Sequence, residues 1–512
     1  MASGPGIFNA ARHFARIAIL AISLAGLAAA ALTGPTAALA DPRLPGEACH
    51  HDPQLDWTEP EIWTWVRVCE GETADFNELY DQTLDPKSPD GWAEDRELSP
   101  AFLETVLLHD PFRGAQTRKG VRIIGAWFRK PIDLDNARLE RKLWLDQSRF
   151  ESGVDFFGLK SSSYISLRGS KFTGKLNMAG MKVEGGLFMY GGAEFNEVVL
   201  RGAKIGGQLN ISESKFNDKL NMNHIEVGAM ILMRGGNFAG FVNLRFATIA
   251  PLLDLSGANF SSLDLTGVRI DGELRLGSEE LRLGSKKIPK FPLKATVWDG
   301  DGESKLILRN TLAGAVQYRE GAWPKNLELD GFEYNGMVGY DVTGQKQFGV
   351  QTSKKLIEWL KKDKSFSPQP YEQLASVLRV AGHDGKASDI LFAGKERERA
   401  DAKGFKWFGL TLLTYSIGYG YGFRYFYSLI WIGVLVAVGA FVLRATGESK
   451  RLRMPYGISY SLDMLLPIIR LREWHYDEVD LRSPARYYFY FHKLMGYVLA
   501  SFLIAGLSGL TK

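Results

Sequence analysis

Between residues 128 and 270 an apolar side chain returns after a polar turn at near-constant spacing, and this beat restricts the fold more than any other feature of the chain. The marked positions are Phe128, Leu139, Phe150, Ser161, Phe172, Val183, Phe195, Ile205, Phe216, Val227, Phe238, Ile249, Phe260 and Ile270. Of the thirteen steps between them, ten are 11 residues, two are 10 and one is 12. Only Ser161 breaks the apolar rule. Inside most units an alternating pair lies about halfway, as in Leu176/Met178, Leu209/Ile211 and Leu253/Leu255, and a period of two means extended chain. A small residue usually sits two before the next marked position, as at Ala193, Ala203, Ser214, Ala247 and Ala258.

Such a unit is too short for a strand and a crossover helix. The economical solution is a solenoid in which pairs of units form a coil of about 22 residues and successive coils stack as parallel β-structure. Large apolar residues then point inward, and small ones are wanted at corners where neighbouring coils approach to about 4.8 Å. Roughly six to seven coils would make a rod about 30 Å long. A right-handed winding is the default for parallel connections.

The stretch Leu255-Ser-Gly-Ala-Asn-Phe-Ser-Ser-Leu-Asp-Leu-Thr-Gly-Val-Arg-Ile270 resembles pentapeptide-repeat sequence, with Ala258 as the small residue, Asn259 the polar one and Phe260 the inward one. Gly120-Val-Arg-Ile-Ile-Gly-Ala-Trp-Phe128, Trp323-Pro-Lys-Asn-Leu-Glu-Leu-Asp-Gly-Phe332 and Phe366-Ser-Pro-Gln-Pro-Tyr-Glu-Gln-Leu374 resemble a bacterial family of membrane-associated pentapeptide-repeat-like proteins of unknown function, over a span from about Trp63 to the C-terminus. The resemblance implies a β-helix. Its departure is the 11-residue step, where two pentapeptides would take ten, so a regular four-sided coil is not implied. Some members carry the label membrane-associated oxidoreductase. The chain has no Gly-x-Gly-x-x-Gly after a strand, no Cys-x-x-Cys and no haem attachment motif, so no redox cofactor is expected.

The 55 glycines among 512 residues point to many tight turns, and a formal net charge of +4 gives no argument for nucleic acid binding. At the N-terminus, Arg12, His13 and Arg16 precede an uncharged run from Ile17 to Leu32. Ala38-Leu39-Ala40 before Asp41 then reads as a signal-peptidase site. Residues 1–40 are therefore expected to be a secretory signal, and an uncleaved anchor would export the following domain equally. The two cysteines, Cys49 and Cys69, are expected to pair in an oxidising compartment. The alternatives are free thiols or a metal site, but Cys49-His50-His51-Asp52 matches no standard ligand spacing.

After Leu276 the repeat degenerates through Leu306-Ile-Leu308 and Leu327-Glu-Leu329, read as irregular closing coils that a cap must cover. From Ser353 the period becomes helical, with Leu356, Ile357 and Leu360 on one face and Tyr371, Leu374, Ala375 and Leu378 on the next. Two apolar segments follow, Tyr425 to Leu443 and Leu494 to Leu510, each long enough to span a bilayer core of about 30 Å. Their connection carries Arg444, Lys450, Arg451, Arg453, Arg482, Arg486 and Lys493, against Lys406, Arg424 and Lys512 on the other side, which orients the loop toward the cytoplasm.

Within that loop Ile458, Leu462, Leu465 and Ile469 recur at helical spacing, defining a short amphipathic helix over 456–469. Tyr460, Ser461, Asp463, Leu466 and Pro467 are its candidate functional residues. Asp463 would line a pore in an oligomer, or the helix would merely tuck the loop against the bilayer. Ser501, Ala505 and Gly509 form a small-residue stripe that could pack on Gly433 and Ala437 or on a second copy. No histidine pair has ligand spacing, and no Gly-x-Ser-x-Gly nucleophile elbow occurs.

The expected fold is mainly β: a right-handed parallel β-solenoid with an N-terminal helical cap, a small C-terminal helical segment and two transmembrane helices. The expected divisions are 1–40 signal, 41–120 capping region, 121–340 solenoid, 350–405 helical hairpin and 406–512 membrane region. The expected function is an exported scaffold in the bacterial inner membrane, with the repeats on the periplasmic side. Its partners would be membrane lipid and a protein or cell-wall polymer, with no nucleic acid and with self-association as a further option. No catalysis, metal or cofactor is expected. The alternative is an oligomeric ion channel or conductance regulator.

Overall fold

In the computed structural model the 22-residue beat becomes a turn with four sides. One turn runs through Leu143–Asp146, Arg149–Phe150, Val154–Asp155 and Lys160–Ser161, and Ile165–Ser166 begins the next. Each side stacks in parallel at 22-residue register. Side one aligns Leu143, Ile165, Leu187 and Leu209; side two, Phe150 and Phe172; side three, Val154 and Leu176; side four, Lys160 and Lys182. About nine turns stack between residues 121 and 340, with helical segments at both ends. The structure describes residues 49, 51–277, 282–283, 286–287, 294–299, 303–340, 351–411, 427–453, 457–466, 470–477 and 479–507, without the side chains of 282, 283, 286, 287, 427, 428, 502 and 505–507.

The residue by which each half-turn exceeds two pentapeptides is placed at a left-handed corner. Gly125, Asn136, Gln147, Gly158, Gly169, Gly180, Gly191, Gly202, Glu213, His224, Gly235, Phe246 and Gly257 all have positive φ, at intervals of 11. Three residues earlier an Asp or Asn often closes the turn onto the backbone. Asp155 accepts from the Phe157 amide at 2.8 Å, Asn210 from Ser212 at 3.1 Å and Asp254 from Ser256 at 3.0 Å. The four-sided coil that the 11-residue step left open is therefore regular.

Side two carries a column of fully buried rings. Phe128, Phe150, Phe172, Phe195, Phe216, Phe238 and Phe260 stack with centroids 4.2 to 5.1 Å apart, and Trp298 tilts onto the last of them. Bulky rings at this spacing leave little space at the corner before them, which is why Ala126, Ser148, Ser170, Ala193, Ser214 and Ala258 stand there. The buried hydroxyls are satisfied locally: Ser170 Oγ donates to the Leu145 carbonyl at 2.8 Å and Ser214 Oγ to that of Met189 at 2.6 Å. On side four the partition reverses, and the smaller Ser161 follows the larger corner residue Leu159, both buried.

Both ends of the stack are covered, as open ladders require. Upstream lie α1 (Glu59–Cys69), α2 (Phe76–Leu79), α3 (Pro100–Leu108) and α4 (Phe112–Ala115), with Cys49 and Cys69 joined by a disulfide. Ala74 and Asp75 pair with Ile123 and Ile124, and buried Arg96 donates to the Asn77 side chain and the Gln82 carbonyl, both at 2.8 Å. The closing coils, expected to be irregular, keep register instead: Leu263, Leu306 and Leu327 align on side three. Downstream, α5 (Ser353–Leu360), α6 (Gln369–Val380) and α7 (Asp384–Asp401) close the last rung. Buried Asp363 accepts from the Leu329 amide at 2.8 Å, and Gln373 donates to the Tyr334 carbonyl at 2.6 Å.

The remaining helices are α8 (Gly404–Thr411), α9 (Tyr427–Ala445), α10 (Glu448–Arg451), α11 (Ile458–Leu465), α12 (Trp474–Asp477) and α13 (Ala485–Leu507). Among the described residues no helix is long and apolar enough to cross a membrane. Parts of both expected spans, 425–426 and 508–510, lie outside the described residues, as do residues 1–40 with the expected signal.

Candidate functional site

Helices α9, α11 and α13 pack on one another around α11, the helix expected from the loop pattern. Its N-terminal half carries Tyr460 and Ser461, both buried. The Tyr460 ring meets His475 and Phe489 edge-on at 5.3 and 5.1 Å. The Ser461 carbonyl accepts from His492 Nε2 at 2.9 Å, and the Tyr488 hydroxyl lies 3.2 Å from His492 Nδ1.

Asp463 is fully buried and does not face an opening. Its carboxylate accepts from the Leu471 amide at 2.9 Å, the Arg472 amide at 3.1 Å and His475 Nδ1 at 2.8 Å, while the Tyr476 hydroxyl donates to its carbonyl at 2.7 Å. Burial alone would raise its pKa, but these donors outweigh it and hold the carboxyl below its ordinary range. Asp463 thus ties the segment after α11 back onto the helix. Glu448 does the same for α10: buried, it accepts from the Arg482 and Ser483 amides at 3.0 and 2.8 Å. Leu466 is half-buried at the C-terminus of α11, and Pro467 lies outside the described residues.

Of the small-residue stripe and its suggested partners, the described residues show only part. Gly433 and Ala437 are exposed on α9, with nothing within 4 Å of a side chain built at Gly433, and Ser501 is exposed on α13. Ala505 and Gly509 lie outside the residues whose side chains are described. The close approaches use other glycines. A methyl group at Gly439 would overlap Ser461 Oγ, and one at Gly496 the Leu465 carbonyl. Because α11 wedges against both long helices, these positions rather than the stripe set the contact.

This unit has a small apolar core of Leu443, Tyr460, Met464, Leu481, Ala485 and Phe489, with polar groups buried beside it and apolar side chains also on its surface. Ser461, Asp463, His475 and His492 are inside, whereas Leu429, Ile430, Val434, Val438 and Phe441 on α9 and Phe491, Leu494 and Ile504 on α13 are exposed. Isolated exposed apolar residues need no explanation, but a contiguous set marks an interaction surface.

Two further features lie on the solenoid. A cavity of about 260 Å³ between the last rungs and α5 is lined by Tyr318, Trp323, Trp359 and Lys362. The Lys362 ammonium donates to the Trp323 and Pro324 carbonyls, both at 3.0 Å, and burial lowers its pKa. On side four, Arg138, Lys160, Lys182 and Lys204 occupy one column in direct register. Some neighbouring rungs match charge, as where Lys171 reaches Glu194 at 2.7 Å or Arg234 reaches Asp254 at 2.7 Å, and like charges are opposed in single pairs, Arg149 with Lys171 and Asp133 with Asp155, but not in a column of four. Sequence reasoning missed this column, although its signal was available: a cation recurs every 22 residues immediately before a marked apolar position.

Among the described residues no group of three or more His, Cys, Asp or Glu side chains is placed to hold a metal ion. No protein-family model, no curated protein and no solved structure matches the chain. The geometry defines a class, the parallel β-solenoid closed by helices at both ends.

Proposed function

We propose that the protein is an exported, membrane-anchored scaffold of a bacterial cell envelope, holding its solenoid outside the inner membrane to bind an extended partner without catalysing a reaction. The observation that carries this reading is the row of exposed apolar side chains on α9 and α13, Leu429, Ile430, Val434, Val438, Phe441, Phe491, Leu494 and Ile504, which suits lipid contact, together with the burial of Asp463, His475 and His492 inside the unit. The spans themselves, 425–443 and 494–510, are read from sequence with their connecting loop in the cytoplasm. An oxidising compartment suits the Cys49–Cys69 disulfide, and the signal-like residues 1–40 supply the route. Four flat sides repeated over about nine turns suit a partner as long as the stack. A conducting pore is not favoured, because the Asp463 carboxylate is occupied by its own chain.

Two measurements on the full chain test the reading. Alkaline phosphatase, active only outside the cytoplasm, is inserted between residues 340 and 351, and membranes are extracted with alkaline carbonate. An active reporter and a carbonate-resistant chain are expected. An inactive reporter, or a chain released by carbonate, would overturn it.

A further inference from the structure

The cationic column of side four has no structural explanation within the chain. Arg138, Lys160, Lys182 and Lys204 are all exposed and sit in direct register at a rung spacing of about 4.8 Å. Like charges directly opposite one another destabilise a sheet. Lys204 is relieved by Glu226 on the next rung, at 2.8 Å, but Arg138, Lys160 and Lys182 make no ion pair among the described residues. Glu140 and Glu184 lie two residues beyond Arg138 and Lys182 and likewise make no ion pair among the described residues. Beside Lys182 and Lys204 the backbone is bare, since a Cβ built at the left-handed corners Gly180 or Gly202 meets nothing within 4 Å, whereas the Asn136 side chain covers the Gly158 corner beside Lys160. A row of exposed cations in register, part of it beside bare backbone, is a track for a linear anion.

We infer that this column binds a linear polyuronate, an acidic polysaccharide carrying one carboxylate on every sugar ring, laid along the solenoid axis. The rung spacing is close to the length of one pyranose in a 1,4-linked chain, whose successive rings turn to opposite sides, so every second carboxylate meets every second cation of the column. The glycine corners let the rings lie against the backbone, where main-chain groups can meet their hydroxyls. The inference rests on the scaffold reading, since it names what the long face meets.

The test uses the full-length protein in nonionic detergent with polygalacturonate oligomers as the probe, titrated calorimetrically at low salt. Dextran is the uncharged control and inorganic polyphosphate the phosphate arm. Saturable binding of polygalacturonate is expected, falling at least about tenfold in the double variant Lys160→Glu/Lys182→Glu and weakening with added salt. The pair Lys361→Glu/Lys364→Glu, exposed beyond α5, should bind as the unsubstituted protein does. Should the charge reversal disturb folding, Lys160→Gln/Lys182→Gln makes the same test with a smaller loss. Absence of polygalacturonate binding, binding undiminished in both column variants, equal loss in the control pair, or preference for polyphosphate would each overturn the inference. Because the purified protein is used, a negative result here leaves the export reading to its own reporter, and a cytoplasmic reporter leaves this measurement intact.

Discussion

Replacing Phe195 by Ala measures how far the ring column holds the solenoid together. Phe195 is fully buried and stacks on Phe172 and Phe216, with both centroid distances 5.1 Å. Truncating a buried Phe to Ala costs about 3–5 kcal/mol in transfer and cavity terms. Each aromatic stack adds about 0.5–1.5 kcal/mol beyond burial. The expected loss is therefore about 4–8 kcal/mol, a large part of the ~5–15 kcal/mol by which folded proteins are stable. Phe195→Leu keeps most of the volume and should lose mainly the stacking contribution, about 1–3 kcal/mol. Phe128 stacks on one neighbour only, Phe150, so Phe128→Ala should cost about 1 kcal/mol less than Phe195→Ala. Urea unfolding followed by far-ultraviolet circular dichroism gives the differences from shifted midpoints at constant slope. A Phe195→Ala loss under about 2 kcal/mol, or a Leu variant as damaged as the Ala variant, would refute the reasoning.

Other substitutions probe the corners and the charges. Gly202→Ala meets no neighbour but holds φ at +65°, so it should lower stability by about 1 kcal/mol, and Gly202→Asn should cost less, both read by urea midpoints. Lys160→Glu converts a like-charged rung into an alternating one and should raise the melting temperature, by a contribution of about 0.2–1 kcal/mol; a fall would contradict the repulsion argument. At Glu194, burial alone would raise the pKa, but hydrogen bonds from Lys171 and Asn217 and the charges of Lys171 and Lys215 hold it below the ordinary value of 4.5. A depressed carboxyl contributes stability that is present above the unfolded pKa and lost as pH falls through the folded one. Stability of the unsubstituted chain should therefore drop below about pH 4.5, and Glu194→Gln should flatten that part of the curve. Asp463→Asn keeps the shape but turns one acceptor into a donor facing other donors, and should loosen α11 by about 2–3 kcal/mol, seen as faster amide exchange at Leu471 and Arg472.

The winding was legible because the Phe column and its half-turn partners sit in the sequence as a simple beat, and parallel stacking is the one economical way to bury it. The corner was only half legible. Gly158, Gly180 and Gly202 advertise a left-handed residue, but Gln147, Glu213, His224 and Phe246 adopt the same conformation with nothing in their chemistry to announce it. Closing coils such as Leu306 and Leu327 looked irregular because the chain between Leu276 and Lys305 is longer than a half-turn, while their register survives. Pairings across long sequence distances, such as Arg96 with Asn77 and Gln82 or Asp363 with Leu329, follow from where the caps dock, which local pattern does not encode. The closest helix contacts were not legible for a related reason. Spacing names the residues on one face of α9, but α11 decides which face is covered, and it selects Gly439 rather than Gly433.

The register can be measured directly with paired cysteines. Lys182 and Lys204 are opposed on adjacent turns of side four, whereas Lys182 and Ala193 are half a turn apart. A disulfide needs Cα atoms about 4.4–6.8 Å apart, a range that includes the rung spacing of about 4.8 Å. With the native Cys49–Cys69 bridge intact, mild oxidation should join Lys182→Cys to Lys204→Cys and leave Lys182→Cys with Ala193→Cys reduced. A bridge in the second pair and none in the first would contradict the 22-residue turn on which the whole account stands.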